Sequence, residues 1–230
     1  MQSIETNPAS LSTDVCELFP HGALSAELRG AGDPGALYPE EARYLQKAVR
    51  QRIEEFAAGR TCARLLLREF GIRDFPIEVG AHRQPLWPED FVGSITHTTG
   101  FCAAVVARRE RLRSVGIDTE IAGSVKTTLW RSICTTSETS WLRSLPKPEQ
   151  RAAATLIFSA KEAFYKCQFA VTQERVRFHD VSLDFPTWGE KRGTFKLVAK
   201  RRIELERDIA LPLQGRYLFH EQFITSGIAF

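Results

Sequence analysis

Three runs stand in close succession: Phe91-Val92-Gly93-Ser94-Ile95-Thr96-His97, Phe101-Cys102-Ala103-Ala104-Val105-Val106-Ala107 and Arg113-Ser114-Val115-Gly116-Ile117-Asp118-Thr119-Glu120. Each is rich in β-branched or aromatic residues. They are separated by Thr98-Thr99-Gly100 and by the charged stretch from Arg108 to Leu112, so the spacing predicts an antiparallel meander. Upstream, from Glu40 to Phe70, Ala42, Leu45, Val49, Ile53 and Phe56 recur every three or four residues. Gly59 and Gly71 read as C-terminal caps, which predicts helix, turn, helix. Downstream the order repeats. A long helix is expected from near Pro148, with its apolar stripe at Leu156, Ala160, Ala163, Phe164, Cys167 and Val171. Strand character follows in Val176 to Phe185, Thr194 to Val198, Gly215 to Phe219 and Gln222 to Ala229.

The division falls near residues 120 to 125 and gives two helix-plus-sheet halves in tandem, an α+β architecture. The symmetry lies in the order of elements; no residue-level repeat accompanies it. The expected organisation is a flexible N-terminus over 1–14, a first α+β half over 15–122 and a second over 123–230, each half a long helix packed on a small antiparallel sheet.

At 230 residues the chain is long enough to bury roughly 70 to 75% of the surface it would expose unfolded, so no disulfide or metal staple is needed. With 31 basic and 28 acidic residues, the net charge of +3 is too even to point to nucleic acid. The five cysteines (Cys16, Cys62, Cys102, Cys134, Cys167) are scattered and form no C-x-x-C. This argues against a disulfide framework or structural zinc and fits a reducing cytosol, hence a cytoplasmic protein. The longest clean apolar stretch, Phe101 to Ala107, is far too short for a membrane span.

Several segments carry chemistry. If Val115 to Glu120 is a strand, Asp118 and Glu120 share a face about 7 Å apart at ~3.3 Å per residue, where a short and a longer carboxylate can converge on a hard divalent cation. Two unrelated acids at a solvated strand end is the plain alternative for D-x-E alone. In Phe158-Ser159-Ala160-Lys161-Glu162-Ala163-Phe164-Tyr165-Lys166, Glu162 and Lys166 stand at i, i+4 on one helix face, either a functional pair or a surface one. His97 lies where a strand runs into a polar, Gly-containing turn, and can meet an anion there or serve as a hydrogen-bonded structural group. Ser94, His97 and Asp118 do not form a convincing hydrolase triad, because no G-x-S-x-G elbow is present.

Arg60, Arg64 and Arg68, four apart on the predicted helix, form a basic stripe, and Arg83 precedes the histidine strand. Arginine forks suit phosphate oxygens; a solvated helix face is the competing reading. Gly30-Ala31-Gly32-Asp33-Pro34-Gly35 matches G-x-G-x-x-G, but Pro34 and the lack of a preceding buried strand deny it the dinucleotide context, and no P-loop motif occurs.

In this order, the segments resemble the long, single-chain 4′-phosphopantetheinyl transferases that serve siderophore, nonribosomal-peptide and polyketide synthesis, the enterobactin-synthase and surfactin type. The paired signature Val115 to Glu120 and Phe158 to Lys166 carries the resemblance. Gly93 to Gly100, Arg83-Gln84-Pro85 and Gly59 to Arg64 support it, so the likeness runs from about residue 56 to 168. Thr96 and Thr98 flank His97 where the family usually has serines.

The resemblance implies a pseudo-twofold monomer with the active site in a cleft between the halves. It implies Mg²⁺, with Mn²⁺ as an alternative, on Asp118, Glu120 and Glu162. It further implies coenzyme A as substrate, with its phosphates met by His97 and Lys166 and its 3′-phosphate and adenine end by Arg60, Arg64 and Arg83, Arg64 the weakest of the three assignments. The partner would be an apo acyl or peptidyl carrier protein, the catalytic groups Glu162, Lys166 and His97, and the reaction transfer of phosphopantetheine to a carrier serine with release of 3′,5′-ADP. A Mg²⁺-dependent coenzyme A pyrophosphatase and a non-catalytic nucleotide-binding module are the rivals.

Overall fold

The structure is a computed structural model that describes residues 8–207 and 213–230. Its elements, in chain order, are β1 (Ser10–Leu11), α1 (Thr13–Cys16), β2 (Ala23–Arg29), α2 (Pro39–Ala42), α3 (Arg50–Glu69), β3 (Phe91–Thr98), β4 (Phe101–Arg108), β5 (Val115–Ile121), α4 (Trp130–Ile133), α5 (Thr136–Ser144), α6 (Lys147–Thr172), β6 (Val181–Asp184), β7 (Arg192–Ala199), β8 (Leu213–His220) and β9 (Phe223–Ala229). The class is α+β, as expected. The chain divides into two compact units, Met1–Val115 and Gly116–Phe230, so the boundary falls at the start of β5, earlier than residues 120 to 125.

The first unit holds a four-stranded sheet in the order β1-β2-β4-β3. β3 and β4 form the expected hairpin, with Gly100 at φ +79° in the turn, a conformation glycine adopts without steric cost. The meander ends there. β5 leaves for the other sheet, and the position beside β4 is taken by β2, with Ala26 opposite Ala104. The β2 sequence Ala-Leu-Ser-Ala-Glu-Leu-Arg is short of β-branched residues, and its burial does not alternate cleanly, so it carries little strand signal. Of the N-terminus expected to be flexible, residues 1–7 lie outside the described residues. Ser10 and Leu11 pair with Glu27 and Ala26, and the Ser12 hydroxyl accepts from Val15 N at 3.3 Å to cap α1.

One continuous helix, α3, replaces the predicted turn at Gly59. Gly59 is not a cap: a Cβ there would lie 2.7 Å from Ile95 Cγ2, so the missing side chain lets the helix backbone approach β3. Ala58, Cys62, Ala63, Leu66 and Leu67 pack with Leu28, Cys102, Ala104 and Val106. Gly71 does end the helix, at φ +85°. Its N–H donates to Arg68 O and that of Ile72 to Leu67 O, the paired bonds of a Schellman turn.

In the second unit the strand order is β5-β9-β8-β7-β6. The 26-residue α6 starts at Lys147 with Pro148 in its first turn and stops where Gln173 turns left-handed. Leu156, Ala160, Ala163, Phe164 and Cys167 are buried with Phe195, Tyr217, Ile224 and Ile228, while Val171 is half-exposed. The strand expected over Val176 to Phe185 contracts to β6, behind a 3-10 turn at Phe178–Asp180. Neither α4 nor α5 was anticipated, although Thr135 and Glu138 form a capping box that opens α5.

Candidate active site

Glycine decides how α6 meets β5. A Cβ on Gly116 would run into the Ala163 carbonyl and lie 2.8 Å from Cys167 Cβ, so only glycine lets the helix lie directly on the strand. That contact brings the helix's polar face to the strand's carboxylate face. Lys166 Nζ donates to Asp118 Oδ1 at 2.8 Å and to Ile117 O at 3.0 Å. Asp118 is buried and Glu120 and Glu162 are half-buried.

Burial pushes the Glu120 carboxyl up to about 7, with the nearby Asp118 charge adding to the effect and Lys166 opposing it. Glu162 is raised too, first by burial and then by Asp118. The three acids are thus electrostatic neighbours that repel one another, and a cation is what such a set favours. Their donor chemistry, hard carboxylate oxygens only, fits Mg²⁺. Among the described residues, however, no three His, Cys, Asp or Glu side chains form a group able to hold an ion by themselves. That agrees with the habit of Mg²⁺, which keeps waters and is held by one or two carboxylates plus substrate phosphates rather than by an all-protein cage.

Lys161, in the same helix segment and unassigned from sequence, is fully buried. Its Nζ donates to Glu138 Oε2 at 2.7 Å, Phe178 O at 2.7 Å and Ile133 O at 2.9 Å. The Glu138 carboxylate also accepts from Thr135 N and from Leu183 N in β6. Burial lowers the Lys161 pKa despite Glu138. Every charge here is spent on holding α4, α5, β6 and α6 together. A cavity of about 520 Å³ opens beside this knot, lined by Glu162, Phe164, Tyr165, Val176, Phe178 and Val181 among others.

In the first unit, His97 at the end of β3 faces α3. A guanidinium only donates, so Arg52 Nη1, 2.5 Å away, makes His97 Nε2 the acceptor; the ring proton then sits on Nδ1, 3.5 Å from Glu55 Oε2. His97 and Glu55 line a cavity of about 400 Å³ with Gln51, Glu54, Thr98 and Gly100. Arg52 was missed, yet its signal was present: extending the row of Arg60 and Arg64 back by two four-residue steps reaches it.

The arginine stripe itself needs correction. Arg64 is buried, with Nη1 on Glu41 Oε2 at 2.5 Å and Nη2 on Ala36 O at 2.6 Å, and Glu41 also accepts from Ile77 N, so Arg64 fastens α3 to the preceding segment. Arg60 is buried over the Phe56 ring at 3.8 Å with Nε on Ile77 O, and burial lowers its pKa to about 10. Arg68 is exposed. Arg83 is exposed in a tight turn at φ +69°, its N–H donating to Gly80 O. The structure therefore brings Asp118, Glu120, Glu162 and Lys166 together in one unit and Arg52 and His97 together in the other.

All five cysteines are free, and no helix among the described residues is long and apolar enough to cross a membrane.

Residues 40–107 match the model of the 4′-phosphopantetheinyl transferase N-terminal domain, and residues 114–218 match that of the 4′-phosphopantetheinyl transferase superfamily. The chain is similar to 4′-phosphopantetheinyl transferase Npt of Nocardia iowensis, 32% identical over 93% of this chain and 98% of that protein. It is 37% identical to 4′-phosphopantetheinyl transferase Svp of Streptomyces mobaraensis over 94% of this chain and 88% of that protein. Enterobactin synthase component D of Salmonella typhi is 42% identical over 53% of this chain and 50% of that protein. Two relatives above 30% identity along nearly their whole length, and family models on both halves, establish that the chain belongs to the 4′-phosphopantetheinyl transferase superfamily.

Proposed function

We propose that the chain transfers the phosphopantetheine arm of coenzyme A to a serine of an apo acyl or peptidyl carrier protein, as a cytoplasmic monomer serving siderophore, nonribosomal-peptide or polyketide synthesis. The observation that carries this reading is the set of mutually repelling carboxylates Asp118, Glu120 and Glu162 with Lys166 on Asp118. Asp118, Glu120 and Glu162 are the residues that would hold Mg²⁺, or Mn²⁺, which supplies charge neutralisation at the diphosphate.

In the reaction, the serine oxygen bonds to the β-phosphorus and the bond to 3′,5′-ADP breaks. Glu162 accepts the serine proton. The Lys166 ammonium, held by the Ile117 carbonyl, meets negative charge on the phosphoryl oxygens. His97, with Arg52 beside it, is expected to meet the coenzyme A phosphates, and Arg60 and Arg83 its 3′-phosphate end; Arg64 is paired with Glu41. The 520 Å³ cavity beside Glu162, lined by Phe164, Val176 and Phe178 as well as Arg177, His179 and Asp180, has room for a pantetheine arm.

Intact-mass measurement of candidate apo-carrier domains with coenzyme A and Mg²⁺ tests the reading. A covalent gain on the serine that disappears in Asp118→Ala and Glu162→Gln, both still folded, supports it. Hydrolysed coenzyme A beside unmodified carrier would replace it with a pyrophosphatase.

A further inference from the structure

A second, hidden contact accompanies the Gly116 approach. The Ser159 hydroxyl, one turn before Glu162 on α6, donates 3.1 Å to the Asp118 carbonyl of β5 and stands 3.0 Å from Ser226 Oγ of β9. Both serines are fully buried. On the same strand pair, Thr119 Oγ1 and Thr225 Oγ1 are 2.9 Å apart, and Thr225 Oγ1 lies 2.8 Å from His220 Nε2. A helix lying on a sheet by apolar contact alone can slide or rotate at small cost, because dispersion has no direction. A hydrogen bond to one particular carbonyl has direction. Ser159 reaches the main chain of the very residue whose carboxylate Lys166 holds, so α6 is fastened to Asp118 at two points more than a turn apart.

We propose that Ser159 is a positioning residue: its bond to the Asp118 carbonyl fixes the register of α6 on β5 and thereby sets Glu162 and Lys166 against Asp118 and Glu120. Substrate is not touched by this hydroxyl. Its consequence for metal affinity rests on the function proposed above; the register itself does not.

The test uses the full chain and two readouts. Hydrogen exchange of the metal-free protein comes first. Ser159→Ala should lose about 10-fold or more of its amide protection in the peptide covering residues 115–121, with β7 unchanged, and Ser159→Cys, which keeps a weak donor, should recover part of it. Unchanged protection over 115–121 in Ser159→Ala overturns the proposal, as does an equal loss across β7, which would mean general loosening.

Mn²⁺ binding with coenzyme A present, read from the electron paramagnetic resonance of the free ion, comes second. Supporting groups behind metal ligands typically matter 10- to 100-fold, so Ser159→Ala should bind Mn²⁺ about 10-fold more weakly than wild type. Equal binding by variant and wild type overturns the positioning role. A wild-type chain that binds no Mn²⁺ instead counts against the metal in the proposed function, and the exchange result still decides the register.

Discussion

Replacing Lys161 by Met tests whether the second unit depends on the buried ion pair. The ammonium makes three bonds of 2.7 to 2.9 Å, to Glu138, Phe178 O and Ile133 O, and both side chains of the pair are 1% exposed. Methionine fills similar volume, so the loss is electrostatic rather than a cavity. Glu138 would keep its bonds from Thr135 N and Leu183 N but lose the charge that balances it. Removing one member of a buried pair costs about 3 to 5 kcal/mol because the other charge is stranded. For a chain of this size, each kcal/mol moves Tm by about 2 to 4 °C, which gives a drop of roughly 6 to 20 °C. Urea denaturation and calorimetry of K161M, E138Q and the double variant read the effect. The double variant should be more stable than the sum of the two losses, since no stranded charge remains. A K161M chain within about 1 kcal/mol of wild type, or a strictly additive double variant, refutes the reasoning.

Four further outcomes are expected. Because burial raises Glu120 to about 7, the folded metal-free protein binds its proton more tightly than the unfolded chain; the stability this confers is complete below the ordinary carboxylate range and is lost as pH rises through about 7. Thermal melts without divalent ions should therefore show Glu120→Gln gaining on wild type between pH 5 and pH 8, and a gap that narrows with rising pH contradicts the assignment. Gly59→Ala should cost about 1 to 3 kcal/mol in urea melts, since its Cβ meets Ile95 at 2.7 Å; a stabilised variant would mean the helix is free to shift. Calorimetric titration should find that Arg52→Ala weakens coenzyme A binding with Tm nearly unchanged, whereas Arg64→Met lowers Tm through loss of the Glu41 pair; the reverse assignment would move the phosphate contact to Arg64. In the same titration dephospho-coenzyme A should bind wild type more weakly than coenzyme A does, and equal affinities would show that Arg60 and Arg83 serve another purpose.

Local sequence alone determined the β3–β4 hairpin, the long α6 with Pro148 in its first turn, the Gly71 cap and the pairing of Asp118 with Glu120 on one strand face. Each of these follows from periodicity, or from one residue's backbone preference, over a few positions. Which sheet β5 joins, and the placing of β2 beside β4, were settled by tertiary structure, because strand partners are chosen by burial among distant segments. The fates of the basic residues and of Gly59 were settled the same way. Spacing cannot distinguish Arg64 and Lys161, whose charges are sealed inside by Glu41 and Glu138, from Arg52, which stays exposed beside His97, since desolvation depends on what the rest of the chain packs around each group. Nor does a glycine disclose in sequence whether it ends a helix or admits a neighbouring backbone, as Gly59 and Gly116 do, because the space a side chain would need is defined only when the elements meet.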